Sequence, residues 1–126
     1  MFLLIDMSER DVIHLALFDK KVIEHKKYSS QNRELLGCID KLVKNKKYKI
    51  ESIQGIMVVV GVGGFTSTRI ACVVANSFAY ILQIPVLAVK LDEVDNIQEL
   101  IPELLKQKPG NFISATYSGE PNLGKK

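Results

Sequence analysis

Two stretches of this 126-residue chain carry residue types that could do chemistry. The first is Gly61-Val62-Gly63-Gly64-Phe65-Thr66-Ser67-Thr68-Arg69, which ends one apolar run and opens another. A glycine-rich turn from strand to helix gathers backbone N–H groups at a positive helix end, where phosphates and other anions bind. It is not a Walker loop, because no Gly-Lys-Ser/Thr follows. Gly61, Gly63 and Gly64 also suit a tight turn that needs positive φ, and turn packing and anion contact are compatible. Arg69 falls in the first helical turn, where it could neutralise an anion or pair with Asp6. The second stretch is Asp6-Met7-Ser8. A carboxylate beside a hydroxyl could hold a magnesium–phosphate group, or serve only as a turn acid. The candidate anion or nucleotide loop is therefore Asp6, Ser8, Gly61, Gly63, Gly64, Thr66 and Arg69.

Other reactive residue types lack a chemical context. His14 and His25 fall on different expected strands without metal-ligand spacing, so no metal site is expected. Ser8, Ser29 and Ser30 have no Gly-x-Ser-x-Gly setting, and no catalytic residue is assigned. Two-metal nuclease chemistry needs several converging carboxylates, and only Asp6 is placed for it. Cys38 and Cys72 sit among apolar residues and read as reduced core thiols of a cytoplasmic protein.

The elements that must position these residues follow from periodicity. Phe2–Asp6 reads as a first strand and Val12–Phe18 as a second, alternating His14 and Ala16 against Ile13, Leu15 and Leu17. Asp19-Lys20 turns the chain into a third strand over 21–27, completing an antiparallel meander. Residues 31–45 are helical, with Leu35, Leu36, Ile39, Leu42 and Val43 at helical spacing. Residues 50–53 form a short helix or turn. The unbroken apolar run 56–60 reads as a strand buried on both faces. Thr66 or Ser67 is expected to cap the next helix, which runs to about Leu82. Its Ile70, Val73, Val74 and Phe78 spread beyond one stripe, as on a helix covered on two sides. A strand follows over 85–89, then a final helix toward Lys106 with Asn96 and Glu99 as a capping box and a break at Pro102. Residues 111–117 are expected to form a last strand, ahead of a loose polar tail over 118–126. The result is one α/β domain over 1–117, a mixed sheet of five or six strands with helices on its faces.

Composition fits one ordinary globular domain, at 47% hydrophobic and 25% charged residues. No apolar run reaches membrane-spanning length, and the apolar start is too short for a signal peptide. The net charge of +3 is mild. Lysines cluster at Lys20, Lys21, Lys26 and Lys27, and again at Lys41, Lys44, Lys46, Lys47 and Lys49. A solvated helix end and hairpin rim accounts for them, since helix C-termini favour cations. A weak footprint for RNA or an acidic partner is the functional alternative. Few aromatics interleave with the lysines, so a dedicated nucleic-acid platform is not indicated.

Three segments together resemble a known family. Leu3-Leu4-Ile5-Asp6-Met7-Ser8, then Val59-Val60-Gly61-Val62-Gly63-Gly64-Phe65-Thr66-Ser67-Thr68-Arg69-Ile70, then Ala79-Tyr80-Ile81-Leu82-Gln83-Ile84-Pro85-Val86 are similar to the N-terminal lobe of the TsaB (YeaZ) family. Asp6, Ser8, Gly61, Gly63, Phe65, Thr66, Arg69 and Ile70 match the family pattern, whereas Met7, Val62, Gly64, Ser67, Thr68 and Ala71 depart from it. The resemblance covers roughly residues 2–95. It implies a ribonuclease-H-like lobe of the actin-like ATPase superfamily, shortened to that lobe alone.

It also implies a non-catalytic subunit in synthesis of N6-threonylcarbamoyladenosine (t6A) on tRNA. The partner would be a TsaD-like subunit, with TsaE as a possible third component, a homodimer when alone, and only indirect contact with tRNA. No cofactor of its own is implied, and ATP and magnesium belong to the assembled complex. The expected interface is Leu35, Leu36, Ile39, Leu42, Val43, Ile70, Val73, Val74 and Phe78. The alternative is an ATP-binding half that completes its site by dimerisation.

Overall fold

Every residue of Phe2–Asp6 is buried, which makes this strand (β1) the middle of the sheet. Its neighbours are Val12–Phe18 (β2), antiparallel, and Ile56–Val59 (β4), parallel. Ile23–Ser29 (β3) and Val86–Val89 (β5) form the edges, giving the order β3-β2-β1-β4-β5. The sheet thus has five strands among residues 1–114, the residues this computed structural model describes. Residues 111–114 are irregular, and the rest of the strand expected over 111–117, with the tail over 118–126, lies outside the described residues.

Period-2 alternation sends the strand side chains to two cores. Leu3, Ile5, Ile13, Leu15, Leu17, Ile56 and Val58 face helices α1 (Leu35–Asn45) and α2 (Phe65–Leu82). Phe2, Leu4, Ala16, Phe18, Met57, Val59 and Val89 face a 3-10 stretch, Leu91–Leu100, and helix α3 (Ile101–Leu105). Burial on both faces explains why β4 reads as an unbroken apolar run.

Several boundaries differ from expectation: β3 runs on to Ser29, α1 begins at Leu35 behind a 3-10 turn over Asn32–Glu34, and β4 and β5 are each one residue shorter, while three further differences have a clear local reason. The third strand begins at Ile23, because the Asp19 carboxylate accepts the N–H groups of Lys21 at 2.8 Å and Val22 at 2.9 Å and keeps both in the turn. The final helix breaks at Asn96, which has non-helical φ and ψ, and Pro102 opens α3 instead of interrupting it. The capping carboxylate is Glu93, which accepts the Lys90 N–H at 2.8 Å. Neither Thr66 nor Ser67 caps α2, whose N-cap is Gly64. Ser67 instead donates to the Asn32 side chain at 2.8 Å, tying α2 to the turn ahead of α1.

Candidate functional site

The carboxyl ends of β1, β4 and β5 lie along one edge of the sheet, because the three strands run parallel. This edge gathers the β1–β2 turn and the glycine turn. Gly63 joins them. Its φ is +87°, and a β-carbon there would stand 2.7 Å from Ser8 Cα and 2.8 Å from Ser8 O. Only glycine tolerates both the conformation and the contact. Gly61 also has positive φ, whereas Gly64 is extended.

Asp6 is buried at this edge and both its carboxylate oxygens are engaged. Oδ1 accepts from the Ser8 backbone N–H at 3.0 Å and from Ser8 Oγ at 2.6 Å. Oδ2 faces His14 Nδ1 at 3.2 Å, and His14 Nε2 lies 2.8 Å from His25 Nδ1. Burial pushes the Asp6 carboxyl up, but the hydrogen bonds from His14 and Ser8 outweigh it and hold the group below its ordinary range. Burial, then the charge on His14, lowers His25 against the opposing pull of Asp95.

This Asp6–His14–His25 chain was not anticipated from the sequence. Its signal was present in the hairpin register, which sets Asp6 opposite His14 and places His25 diagonally across β3.

Of the candidate loop residues, Ser8, Gly64 and Thr66 line an open cavity of about 430 Å³ together with Met7, Arg10, Asp11, Asn32 and Ser67, whereas Arg69 is not part of its lining. Arg69 is the fifth residue of α2, exposed at the start of its second turn and not in the first turn expected, while Thr68 is buried and donates to Gly64 O at 3.0 Å. A second cavity of about 560 Å³, lined by Val60, Gly61, Val62, Lys90, Leu91 and Asp92, is mainly apolar. The described residues contain no group of three or more His, Cys, Asp or Glu able to hold a metal. Cys72 is a buried thiol pushed up to about 11 by burial, which suits packing and not nucleophilic chemistry.

The expected interface divides into two sets. Leu35, Ile39, Leu42 and Val43 are buried against the chain's own sheet, so they are core and not surface. The amphipathic stripe of α1 meets β-strands from its own domain first. Leu36 and Val73 are exposed, at 58% and 63%. Ile70, Val74 and Phe78 are half-buried at the margin of the core.

Tyr80 and Ile81 join the exposed set at 64% and 72%. At about 3.6 residues per turn, Val73, Ser77, Tyr80 and Ile81 share the outward side of α2. One flank of that side is tied to the turn before α1 by Ser67. The other flank is tied by Asn76, whose amide donates to Ile113 O at 2.8 Å and accepts the Ile113 N–H at 3.0 Å. The outcome is an open apolar strip between two anchored borders. No helix among the described residues is long and apolar enough to cross a membrane.

Comparison with known proteins gives the family and the fold. Residues 24–104 match the family described as TsaD, tRNA N6-adenosine threonylcarbamoyltransferase. Among solved structures, YeaZ from Pseudomonas aeruginosa superposes with a TM-score of 0.66 and 25% identity over 78% of this chain and 49% of that one. An uncharacterized Pseudomonas aeruginosa protein with similarity to peptidase YeaZ gives a TM-score of 0.64 and 27% identity over 71% of this chain and 42% of that one. The chain thus spans less than half the length of either structure. No curated protein matches it. The mixed sheet with its helices is the YeaZ-like, actin-like ATPase lobe.

Proposed function

The chain belongs to the family of TsaD, tRNA N6-adenosine threonylcarbamoyltransferase, and from that membership we propose that it is a non-catalytic scaffold and activator subunit in t6A modification of tRNA. It pairs with a TsaD-like subunit, with TsaE as a further component, and with a second copy of itself when alone. It carries no cofactor of its own, and ATP and magnesium enter with the assembled complex. Its setting is the cytoplasm.

The observation that carries this reading is the open strip on α2. Val73, Tyr80 and Ile81 are exposed on one side of a helix, with Leu36 exposed on neighbouring α1. Contiguous exposed apolar surface marks interfaces, and a stable pairing buries roughly 1,000 Å² or more in total. The glycine edge lends less support to the alternative of an ATP-binding half, because the Asp6 oxygens already serve Ser8 and His14.

Light scattering behind size exclusion, on the chain alone and mixed with TsaD from the same genome, tests the pairing. Val73→Asp and Leu36→Asp are the informative variants, since both side chains stand clear of the core. Each is expected to keep the fold and to weaken association at least tenfold, as a charge desolvated at an apolar contact does. Wild-type association by both variants shows that the strip is not the interface. A replacement at Leu42 does not discriminate, because it opens the core.

A further inference from the structure

The fold joins two lysine groups that are remote in sequence. The β2–β3 turn carries Lys20 and Lys21, and the end of α1 carries Lys46, Lys47 and Lys49. They meet through Tyr48, which lines a small dimple with Asp19, Val22 and Glu24 of the hairpin, and through Lys46 Nζ, 3.2 Å from Glu24 Oε2. All five lysines are exposed, and Tyr48 among them is 48% exposed. The nearby acids are Asp19, whose carboxylate caps the turn and lies in the field of Lys21 and the N-terminus, Glu24, which is paired with Lys46, and Glu51. No ion pair holds Lys20, Lys47 or Lys49 among the described residues.

A backbone feature points to the same place. Lys47 ends α1 with φ +63°. A helix takes that conformation most readily with glycine, because a β-carbon disfavours it. The turn is closed all the same, by Lys47 N–H to Lys44 O at 2.9 Å and Tyr48 N–H to Val43 O at 3.0 Å. A strained residue at a charged rim is a reason to look for a role for its charge.

The geometry points to a binding surface for single-stranded nucleic acid, with phosphates along Lys20, Lys21, Lys47 and Lys49 and a base stacked on Tyr48. An exposed aromatic among lysines offers a stacking face to a base and charge to the phosphates on either side, the arrangement that suits a single strand. The surface lies at the end of the sheet opposite the glycine turn. It goes beyond the pairing reading, so either can fail without the other.

Fluorescence anisotropy of the intact chain with a labelled single-stranded RNA of about 12 nucleotides tests the proposal. Four phosphate contacts predict that affinity falls roughly 50-fold between about 50 and 200 mM salt. Lys47→Gly is the decisive variant. It is expected to raise the thermal midpoint by a few degrees, because strain is relieved, while binding weakens several-fold and the logarithmic salt slope loses about 0.7. Tyr48→Ala is expected to weaken RNA binding roughly tenfold and to leave polyglutamate binding unchanged. Pairing measured by light scattering is expected to be unaffected in both variants. The proposal is overturned by no RNA binding at low salt, by equal binding of polyglutamate, or by Lys47→Gly binding RNA as the wild type does.

Discussion

The two ends of the central sheet handle polar groups in opposite ways. At the carboxyl end of β1, Asp6 is buried and both its oxygens serve Ser8 and His14, while Gly63 packs directly on the Ser8 backbone. At the other end, Lys20, Lys21, Lys47 and Lys49 stand in solvent, and Tyr48 is half-exposed where the end of α1 meets the β2–β3 hairpin. The glycine end carries the motif that looks most like chemistry, yet its polar groups are largely satisfied within the fold. The lysine end has no motif, yet its charges are turned outward. Buried polar groups must find partners inside the protein, whereas exposed ones stay available to others. An unusual motif is therefore weaker evidence of a ligand site than an outward, unsatisfied constellation.

Gly63→Ala should show the contrast most strongly. A methyl group would meet backbone atoms at 2.7 and 2.8 Å in a residue held at positive φ. A loss of about 3 kcal/mol or more is expected in denaturant unfolding. A loss below about 1 kcal/mol would mean that the glycine turn is not welded to the β1–β2 turn, and an anion role for its glycines would regain weight.

Asp6→Ala comes next, at about 2 kcal/mol, since it leaves the Ser8 N–H and the His14 ring without their acceptor. The pH dependence carries the same information. The Asp6 carboxyl is held below its ordinary value of 3.8, so its contribution is full above that pH and is lost as pH falls through the lower folded value. His25 is held below its ordinary 6.5, so the fold favours the neutral ring. Stability is then full above about 6.5 and declines as pH falls toward the folded value, because the unfolded chain binds more protons. Thermal midpoints recorded from pH 8 to 3 should show both declines, and His25→Gln should remove the upper one. A flat profile through the upper window would mean that burial and the neighbouring His14 do not hold His25 neutral.

The smallest effect has the opposite sign. Gly37 lies on the exposed side of α1, and nothing stands within 4 Å of where its β-carbon would go. Gly37→Ala should therefore stabilise the fold by about 0.5–1 kcal/mol in the same unfolding assay. One chemical change, made at a welded turn and on an open helix, then separates space and φ from propensity.

Much of the architecture was legible in local pattern. Alternation places β1 and β2 at their observed bounds, and the run 56–60, which has no polar side, reads as the strand buried on both faces that the structure shows over Ile56–Val59. Boundaries failed where a side chain competed for backbone groups, as Asp19 does at the start of β3. The division of the apolar helix residues between core and surface was only half legible. Helical spacing identified Leu35, Ile39, Leu42 and Val43 as one apolar stripe, but it could not say whether the stripe meets the chain's own sheet or a partner. Burial decided that, leaving Leu36, Val73, Tyr80 and Ile81 outside.

By itself the sequence determined the elements, the mixed α/β class and the family likeness, because these rest on periodicity and on short motifs whose spacing is local. Only the tertiary structure decided which polar groups answer one another. Asp6, His14 and His25 meet through strand register, and Tyr48 and Lys46 meet Asp19 and Glu24 through the packing of a helix end against a hairpin. Partners far apart along the chain are chosen by how the faces pack, and no local pattern encodes that choice.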